Sequence, residues 1–193
     1  MNRREALQRA AWVLGYTIAV PTLSGVLKGC KAKPELAFTP TFFKPEQASL
    51  IAELSEIIIP KTDTPGAKEA GVPSFIDQLV RDCYKKEDQD NFLKGLEEFD
   101  KGAKDAYGDA FLDLDPDKQV EYVTKVHNDM LAATKGVDMR DKPRPFMHSM
   151  KELTVVGFFT SEPGATQVLQ YVAVPGAYKG CIPLAEVGKT WAT

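Results

Sequence analysis

Apolar positions recur with a helical period from residue 45 to about residue 160. The first run predicts a helix that begins at Pro45, since proline suits the first helical position. This helix should end at or before Pro60, because the residue ahead of a proline is forced out of the helical conformation. Its apolar face is predicted to consist of Leu50, Ile51, Leu54, Ile57 and Ile58.

Four further helices follow from the same pattern. Ser74 suits the N-cap of the second helix, with Asp77 three residues later in a capping-box position. The other helix ends are predicted at Gly108 and Gly136 (C-termini) and at Asp115, Pro116 and Pro145 (N-termini). The third helix is predicted to face inward with Phe92, Leu96, Phe99, Ala103 and Ala106. The inward face of the fourth is predicted to carry Val120, Val123, Val126 and Met130, and that of the fifth Phe146, Met150, Leu153 and Val156.

Beyond Thr160 the periodicity is lost and the chain is interrupted by Pro163, Pro175 and Pro183. Within this part, "QVLQYVAV" fits either a helix or a strand. Residues 31–44 contain two prolines and no clear period, so we expect a tether there. The sequence therefore predicts one all-α domain over residues 45–193, with about five main helices and an irregular C-terminal segment.

Residues 1–30 differ from the rest and have the architecture of an export signal. Arg3 and Arg4 precede a moderately apolar stretch from Ala10 to Leu27, which is typical of a twin-arginine signal for export of folded proteins. The stretch is also long enough for an uncleaved membrane anchor, and this alternative stays open.

The three cysteines have different expected fates. Cys30 ends "LKGC", which resembles a lipobox with Lys28 in an unusual position, so Cys30 is either lipidated or merely the end of the signal. Lipidation would tether a soluble domain to a membrane. Cys83 and Cys181 then form an even pair, either bridged in an oxidising compartment or present as two separate buried thiols.

Composition and motifs exclude several classes of function for this protein. A chain of 193 residues suits one domain, and a formal net charge of −3 without a basic excess argues against nucleic-acid binding. The sequence has no C-x-x-C-H, glycine-rich dinucleotide fingerprint, P-loop or G-x-S-x-G. Asp113, Asp115 and Asp117 fit a helix cap better than a calcium loop. We therefore expect no catalytic residue, cofactor or metal in this chain.

Two histidines are too few for a zinc site by themselves. His127 is predicted on the inner side of a helix, beside Val126 and Met130, and His148 lies on another helix. A lone histidine at the core or its rim is the simpler interpretation.

Two stretches together resemble the gluconate 2-dehydrogenase subunit 3 family, also called the small or gamma subunit. The first is "IIPKTDTPGAKEAGVPSFID", and the second is "FMHSMKELTVVGFFTSEPGATQVLQYVAVPGAYKGCIPL". The resemblance extends from about Phe43 to Leu184, is looser in the middle helices, and is supported by the twin-arginine start.

The resemblance implies an accessory subunit of an oxidoreductase complex. Its partner would be a glucose–methanol–choline-type flavoprotein that carries FAD and oxidises a sugar or sugar acid. Electrons would pass to a cytochrome c subunit with haem or to another membrane acceptor. The small subunit's signal would carry the folded pair into the periplasm, and a lipidated Cys30 would hold the complex at the membrane.

The matched motifs are the candidate partner interface. Asp63 is predicted in an Asx-type turn, Pro65-Gly66 in a type II turn, and Ser161 as the cap of a short helix in which Gly164 allows a tight bend. These loops either serve the chain's own structure or converge on one docking surface. The candidate interface residues are Thr62, Asp63, Thr64, Pro65, Gly66, Phe158, Phe159, Thr160, Ser161, Glu162, Tyr171, Pro175, Gly176 and Tyr178, with Trp191 as a further aromatic anchor.

Two other functions remain open from the sequence. A stand-alone periplasmic lipoprotein that binds a small sugar-like ligand would need a pocket with convergent polar groups. An independent enzyme would need catalytic groups that the motifs do not supply.

Overall fold

A computed structural model describes residues 36–138, 144–174, 176–177 and 179–192. The helices are α1 (Pro45–Ile58), α2 (Val72–Cys83), α3 (Lys86–Tyr107), α4 (Pro116–Thr134), α5 (Phe146–Phe159) and the one-turn α6 (Leu184–Val187). A 3₁₀ turn spans Phe111–Asp113 and a π-helical turn spans Gly164–Val168. The predicted all-α domain with five main helices is therefore confirmed over the described residues.

The predicted helix ends agree closely with the structure, except at the start of α2. Pro45 and Pro116 are the first residues of α1 and α4. Gly108 follows α3 with a φ of 87°, and Gly136 lies just beyond α4 with a φ of 73°. Both conformations are left-handed, which glycine adopts without a steric cost.

Helix α5 lies at the centre of the domain and packs against α1, α2, α3 and α4. Its inward face contains Met150, Leu153 and Phe158, all at most 5% exposed. An aromatic cluster extends this core, and its members are Phe92, Phe99, Phe111, Tyr122 and Phe146.

Three expected core positions are wrong: Val156 is 44% exposed, Val120 is 50% exposed, and Ala106 is exposed as well. On α5 the inward positions at this level are taken by Thr154 and Gly157, which are both buried. A Cβ atom on residue 157 would come within 2.7 Å of the Phe75 ring, so α2 and α5 approach closely at that point. A hydrophobicity pattern misses such a face because its inward residues are small or polar.

The predicted tether differs from the structure in its second half. Leu36, Phe38 and Phe42 pack against the core, and Phe43 is only 4% exposed. The backbone of residues 41–43 is held by Asp77 of α2. Residues 36–44 are therefore part of the packed domain, whereas residues 31–35 lie outside the described residues.

Asp77 does not form the predicted capping box. Helix α2 begins earlier than predicted, at Val72, after Gly71 with a φ of 76°. The Asp77 carboxylate instead accepts hydrogen bonds from the N–H groups of Thr41 (2.8 Å), Phe42 (3.0 Å) and Phe43 (2.9 Å) and from the Thr41 hydroxyl (2.6 Å). We call this arrangement the Asp77 clip.

The clip also determines the protonation of Asp77, which is 1% exposed. Burial raises the pKa of the carboxyl, but the hydrogen bonds from Phe43, Thr41 and Phe42 outweigh burial and hold the pKa below its ordinary value. Asp77 is therefore a buried, charged acceptor that joins the N-terminal part of the domain to α2.

The C-terminal segment, residues 169–192, is irregular apart from α6, as predicted. A single parallel bridge joins Gln170 to Trp191 among the described residues, with the Gln170 N–H donating to the Thr190 carbonyl at 2.8 Å. Cys83 and Cys181 are both free and exposed. The structure thus shows neither the bridge nor the two buried thiols that the sequence suggested.

Candidate docking surfaces

The loop between α1 and α2, residues 59–71, is organised around the side chain of Glu56. Its two carboxylate oxygens accept hydrogen bonds from the N–H groups of Lys61 (3.0 Å) and Lys68 (2.9 Å). The Ala67 N–H donates to the Ile59 carbonyl at 2.9 Å, and the Ala67 side chain is fully buried. A carboxylate at the end of α1 therefore folds the loop back onto its own helix.

Gly66 is required by this carboxylate and not by a type II turn. Its φ is not among the positive values of the described glycines, which a glycine at the third position of a type II turn would need. A Cβ atom on residue 66 would overlap the Glu56 carboxylate and lie 2.6 Å from the Lys61 nitrogen. The predicted turn type is wrong, and the glycine makes room for a side chain that is distant in sequence.

The outer part of the loop is polar and makes few hydrogen bonds with the described residues. Thr62 and Asp63 are exposed, and Thr64 is half-buried. The Thr62 N–H donates to the Thr64 carbonyl at 3.0 Å, whereas Asp63 has no hydrogen bond to any described residue, so the predicted Asx turn is not formed. Pro65 is half-buried and Gly66 is buried, which leaves residues 62 and 63 as the most accessible part of this candidate surface.

The second candidate stretch divides into core and surface residues. Phe158 is 2% exposed and belongs to the core, so it is not available to a partner. Phe159 is 37% exposed and packs edge-on against Phe158, with ring centroids 5.3 Å apart. Thr160 and Glu162 are exposed.

Ser161 caps the turn after α5, as predicted. Its hydroxyl accepts a hydrogen bond from the Gly164 N–H at 3.2 Å and donates to the Phe158 carbonyl at 2.6 Å. A Cβ atom on Gly164 would overlap that same carbonyl, which confirms the expected tight bend. Ser161 and Gly164 therefore have a structural role within the chain.

The C-terminal segment carries the most exposed apolar side chains of the described residues. Val174 is 84% exposed and Leu184 is 68% exposed. The large hydrophobic residues of the segment with substantial exposure are Tyr171, Val172, Val174, Ile182, Leu184 and Trp191. Gly176 is exposed with a φ of 72°, whereas Pro175 and Tyr178 lie outside the described residues.

The two candidate surfaces are not joined by polar contacts. Within residues 36–138, 144–174, 176–177 and 179–192, no hydrogen bond or ion pair connects the loop at 59–71 with the C-terminal segment. The loop's ion pairs are Lys61 with Glu69 and Lys68 with Glu53, both local. The loop therefore braces α1 and does not brace the C-terminal segment.

Few other side chains in the described residues could bind a metal or take part in catalysis. In the described part of the chain, no cluster of three or more His, Cys, Asp or Glu side chains could hold a metal ion. His127 is half-buried, with Nε2 3.4 Å from the Lys151 ammonium and with a buried Nδ1 that has no partner among those residues. His148 is exposed. His127 therefore lies at the rim of the core, and His148 lies on the surface.

Membrane and export features fall outside the described residues. Arg3, Arg4 and Cys30 all lie in residues 1–35. A search of the described helices found none with the length and hydropathy that a membrane crossing requires. The predictions of a twin-arginine signal, an anchor and lipidation therefore remain predictions.

Sequence analysis missed Asp77 as a structural residue. Its partners are 34 to 36 residues away, and an acidic residue near a helix start fits a capping box equally well. The usable signal is the aromatic pair Phe42–Phe43 inside the predicted tether, since large aromatic side chains are rarely left fully exposed.

The fold and these surfaces define a small helical domain with a braced loop and an exposed apolar C-terminal segment. The model of the family described as gluconate 2-dehydrogenase subunit 3 matches residues 45–176, about two thirds of the sequence. The chain belongs to this family, whose name is that of a subunit of a dehydrogenase complex. Searches of curated proteins and of solved structures each found no match.

Proposed function

We propose that this chain is a non-catalytic accessory subunit of a periplasmic, membrane-associated flavoprotein dehydrogenase that oxidises a sugar or sugar acid. In this proposal the chain assists the export, maturation and anchoring of the flavoprotein. The family match over residues 45–176 is the observation that carries it. The export-like N-terminus and the lack of catalytic motifs in the sequence support the same assignment.

The proposed division of labour places the chemistry in the partner. A glucose–methanol–choline-type flavoprotein would hold FAD and oxidise the substrate, and a cytochrome c subunit with haem would accept the electrons. The chain described here would hold no cofactor and would contribute a binding surface. Its signal would direct the complex into the periplasm, where a lipid on Cys30 would retain it at the membrane.

The escort role is tested by changing Arg3 and Arg4 to Lys in cells that also express a flavoprotein captured with the wild-type chain. We expect loss of flavoprotein from the periplasm, because the twin-arginine pair would direct export of both chains. The matched control is Arg9→Lys, which changes an arginine outside the pair. Full periplasmic yield of the flavoprotein with Lys at positions 3 and 4 would contradict the escort role.

Anchoring is tested separately with Cys30→Ser. We expect the complex to move from the membrane fraction to the soluble periplasmic fraction, and the lipid-modified mass of the wild-type chain to disappear. Gentle affinity capture of the wild-type chain from membranes then tests the accessory role itself. Consistent capture without a stoichiometric flavoprotein would favour a stand-alone lipoprotein instead.

A further inference from the structure

The C-terminal segment has an unusual burial pattern for a part of a folded domain. None of its described residues is buried, although it contains exposed valine, leucine, isoleucine, tyrosine and tryptophan side chains. A segment without a buried side chain gains little from the domain's own core. The described part of this chain therefore leaves these apolar side chains open to contact with another surface.

The contacts that hold the segment are few and local. The Gln170–Trp191 bridge closes the segment on itself, and the Lys189 ammonium donates to the Gln167 carbonyl at 2.7 Å. Helix α6 has only four residues. Regions with few buried apolar contacts open at low free energy, and such regions commonly become ordered on binding.

Charge distinguishes this segment from the rest of the surface. In α3, half of the 22 residues are charged. From residue 169 to the end of the chain, the charged residues are Lys179, Glu186 and Lys189. Depletion of charge together with enrichment of aromatic residues is the compositional signature of the centre of a protein–protein interface.

We propose that the C-terminal segment is the surface by which this chain docks onto the dehydrogenase subunit of its complex. This inference rests on the proposed function, since membership of a subunit family requires a partner chain. The complementary surface on the partner would be apolar and nearly uncharged, with pockets for Tyr171 and Trp191. The loop at 59–71 is not the anchor, because its accessible residues are polar and its buried ones brace α1.

A lipid bilayer is a weaker candidate for the same surface. Helices that lie on membranes combine an apolar face with many lysine and arginine residues, which attract anionic lipids. Here the two lysines are accompanied by Glu186, and the longest helix of the segment is one turn. The chemistry therefore favours an uncharged protein surface.

The test uses the full chain co-expressed with the flavoprotein subunit that is captured with the wild-type chain. Val174→Asp combined with Leu184→Asp places two charges on the segment, at positions 84% and 68% exposed. Val120→Asp combined with Leu131→Asp is the matched control, with the same residue types on α4 at 50% exposure each. We expect the first pair to weaken the complex at least tenfold and the control pair to leave its dissociation constant within twofold. Amide hydrogen exchange should also slow in residues 169–192 of the wild-type chain when the complex forms.

The outcomes separate this inference from the proposed function. Absence of any complex with the wild-type chain overturns the proposed function itself. A complex that forms equally well with Val174→Asp/Leu184→Asp, without slowed exchange in the segment, overturns the docking surface and leaves the function standing. Loss of a homodimer, or loss of binding to phosphatidylcholine vesicles, with unchanged flavoprotein binding would assign the surface to a second copy or to lipid and would overturn the inference.

Discussion

At the scale of single residues, Asp77 joins α2 to residues 41–43 at the N-terminal end of the described domain. Its carboxylate satisfies three backbone N–H groups and one hydroxyl in a buried environment. Asp77→Ala leaves these donors without a partner, so we expect a loss of about 3 kcal/mol in the free energy of unfolding. Urea denaturation measures the loss, and Asp63→Ala is the control because Asp63 is exposed and forms no hydrogen bond with any described residue.

The pH dependence of stability gives a second measurement of the same clip. The pKa of Asp77 is lower in the folded chain than the ordinary value of about 4. Its contribution is therefore complete above the unfolded pKa and is lost as the pH falls through the folded pKa. Asp77→Asn should reduce the acid-induced loss of stability below about pH 4. If the free energy of unfolding of Asp77→Asn fell at low pH as steeply as that of the wild-type chain, Asp77 would not be held as a charged acceptor.

Gly66 and Glu56 form the second residue-scale pair. Gly66→Ala places a methyl group where the Glu56 carboxylate lies, which breaks its bonds to Lys61 and Lys68 and costs about 2 kcal/mol. In a Glu56→Ala background the same substitution should cost less, because the overlap with the carboxylate is gone and only the close contact with the Lys61 backbone nitrogen remains. A double-mutant cycle with urea denaturation measures this coupling. Additive effects would mean that Gly66 is required for another reason.

At the scale of elements, the α2–α5 contact depends on Gly157. Gly157→Ala brings a methyl group against the Phe75 ring, and we expect a cost of about 1–3 kcal/mol, offset in part by the better helix propensity of alanine. The neighbouring change Val156→Ala should alter stability by about 0.5 kcal/mol or less, because Val156 faces solvent. Thermal unfolding of both variants checks the prediction. A larger loss of stability in Val156→Ala than in Gly157→Ala would mean that Val156 is part of the core.

Most helix ends can be predicted from the sequence, because they depend on local chemistry. Contacts between different helices and loops cannot, because they depend on residues elsewhere in the chain. Pro45, Pro116, Gly108 and Gly136 act through their own backbone angles, and the structure has each helix end where the residue type requires. Gly66 and Gly157 act through side chains elsewhere, Glu56 and Phe75. No local pattern identifies such partners. The same limit explains why Asp77 was assigned to a cap and residues 36–44 to a tether.

The candidate site was predictable in part for a related reason. The family resemblance singled out stretches of sequence, and the family model matches residues 45–176, but neither identifies which of their side chains are accessible. Phe158 and Phe159 are adjacent and identical in type, yet one is buried and the other is 37% exposed. The position of each residue around α5 decides this difference: Phe158 lies on the buried face with Thr154 and Gly157, and Phe159 does not.

At the scale of the whole molecule, the two ends of the described domain contribute unequally to stability. A chain starting at Lys44 instead of Leu36 loses the buried Phe43 and the Asp77 clip. A chain ending at Gln170 loses residues 171–193, of which none that the structure describes is buried. The sequence pattern alone predicted a tether at residues 31–44 and included the irregular C-terminal segment in the domain at residues 45–193.

We therefore expect opposite consequences from the two truncations. Deleting residues 36–43 should lower the free energy of unfolding by about 3 kcal/mol or more, through loss of a buried aromatic ring and of the partners of a buried charge. Deleting residues 171–193 should change it by less than about 1 kcal/mol, because few buried contacts are lost, while binding to the flavoprotein is abolished. Urea denaturation and co-purification measure the two effects on each chain. A C-terminal truncation that unfolds the domain would mean that the segment is part of the core, and its exposed apolar side chains would then require an intramolecular explanation.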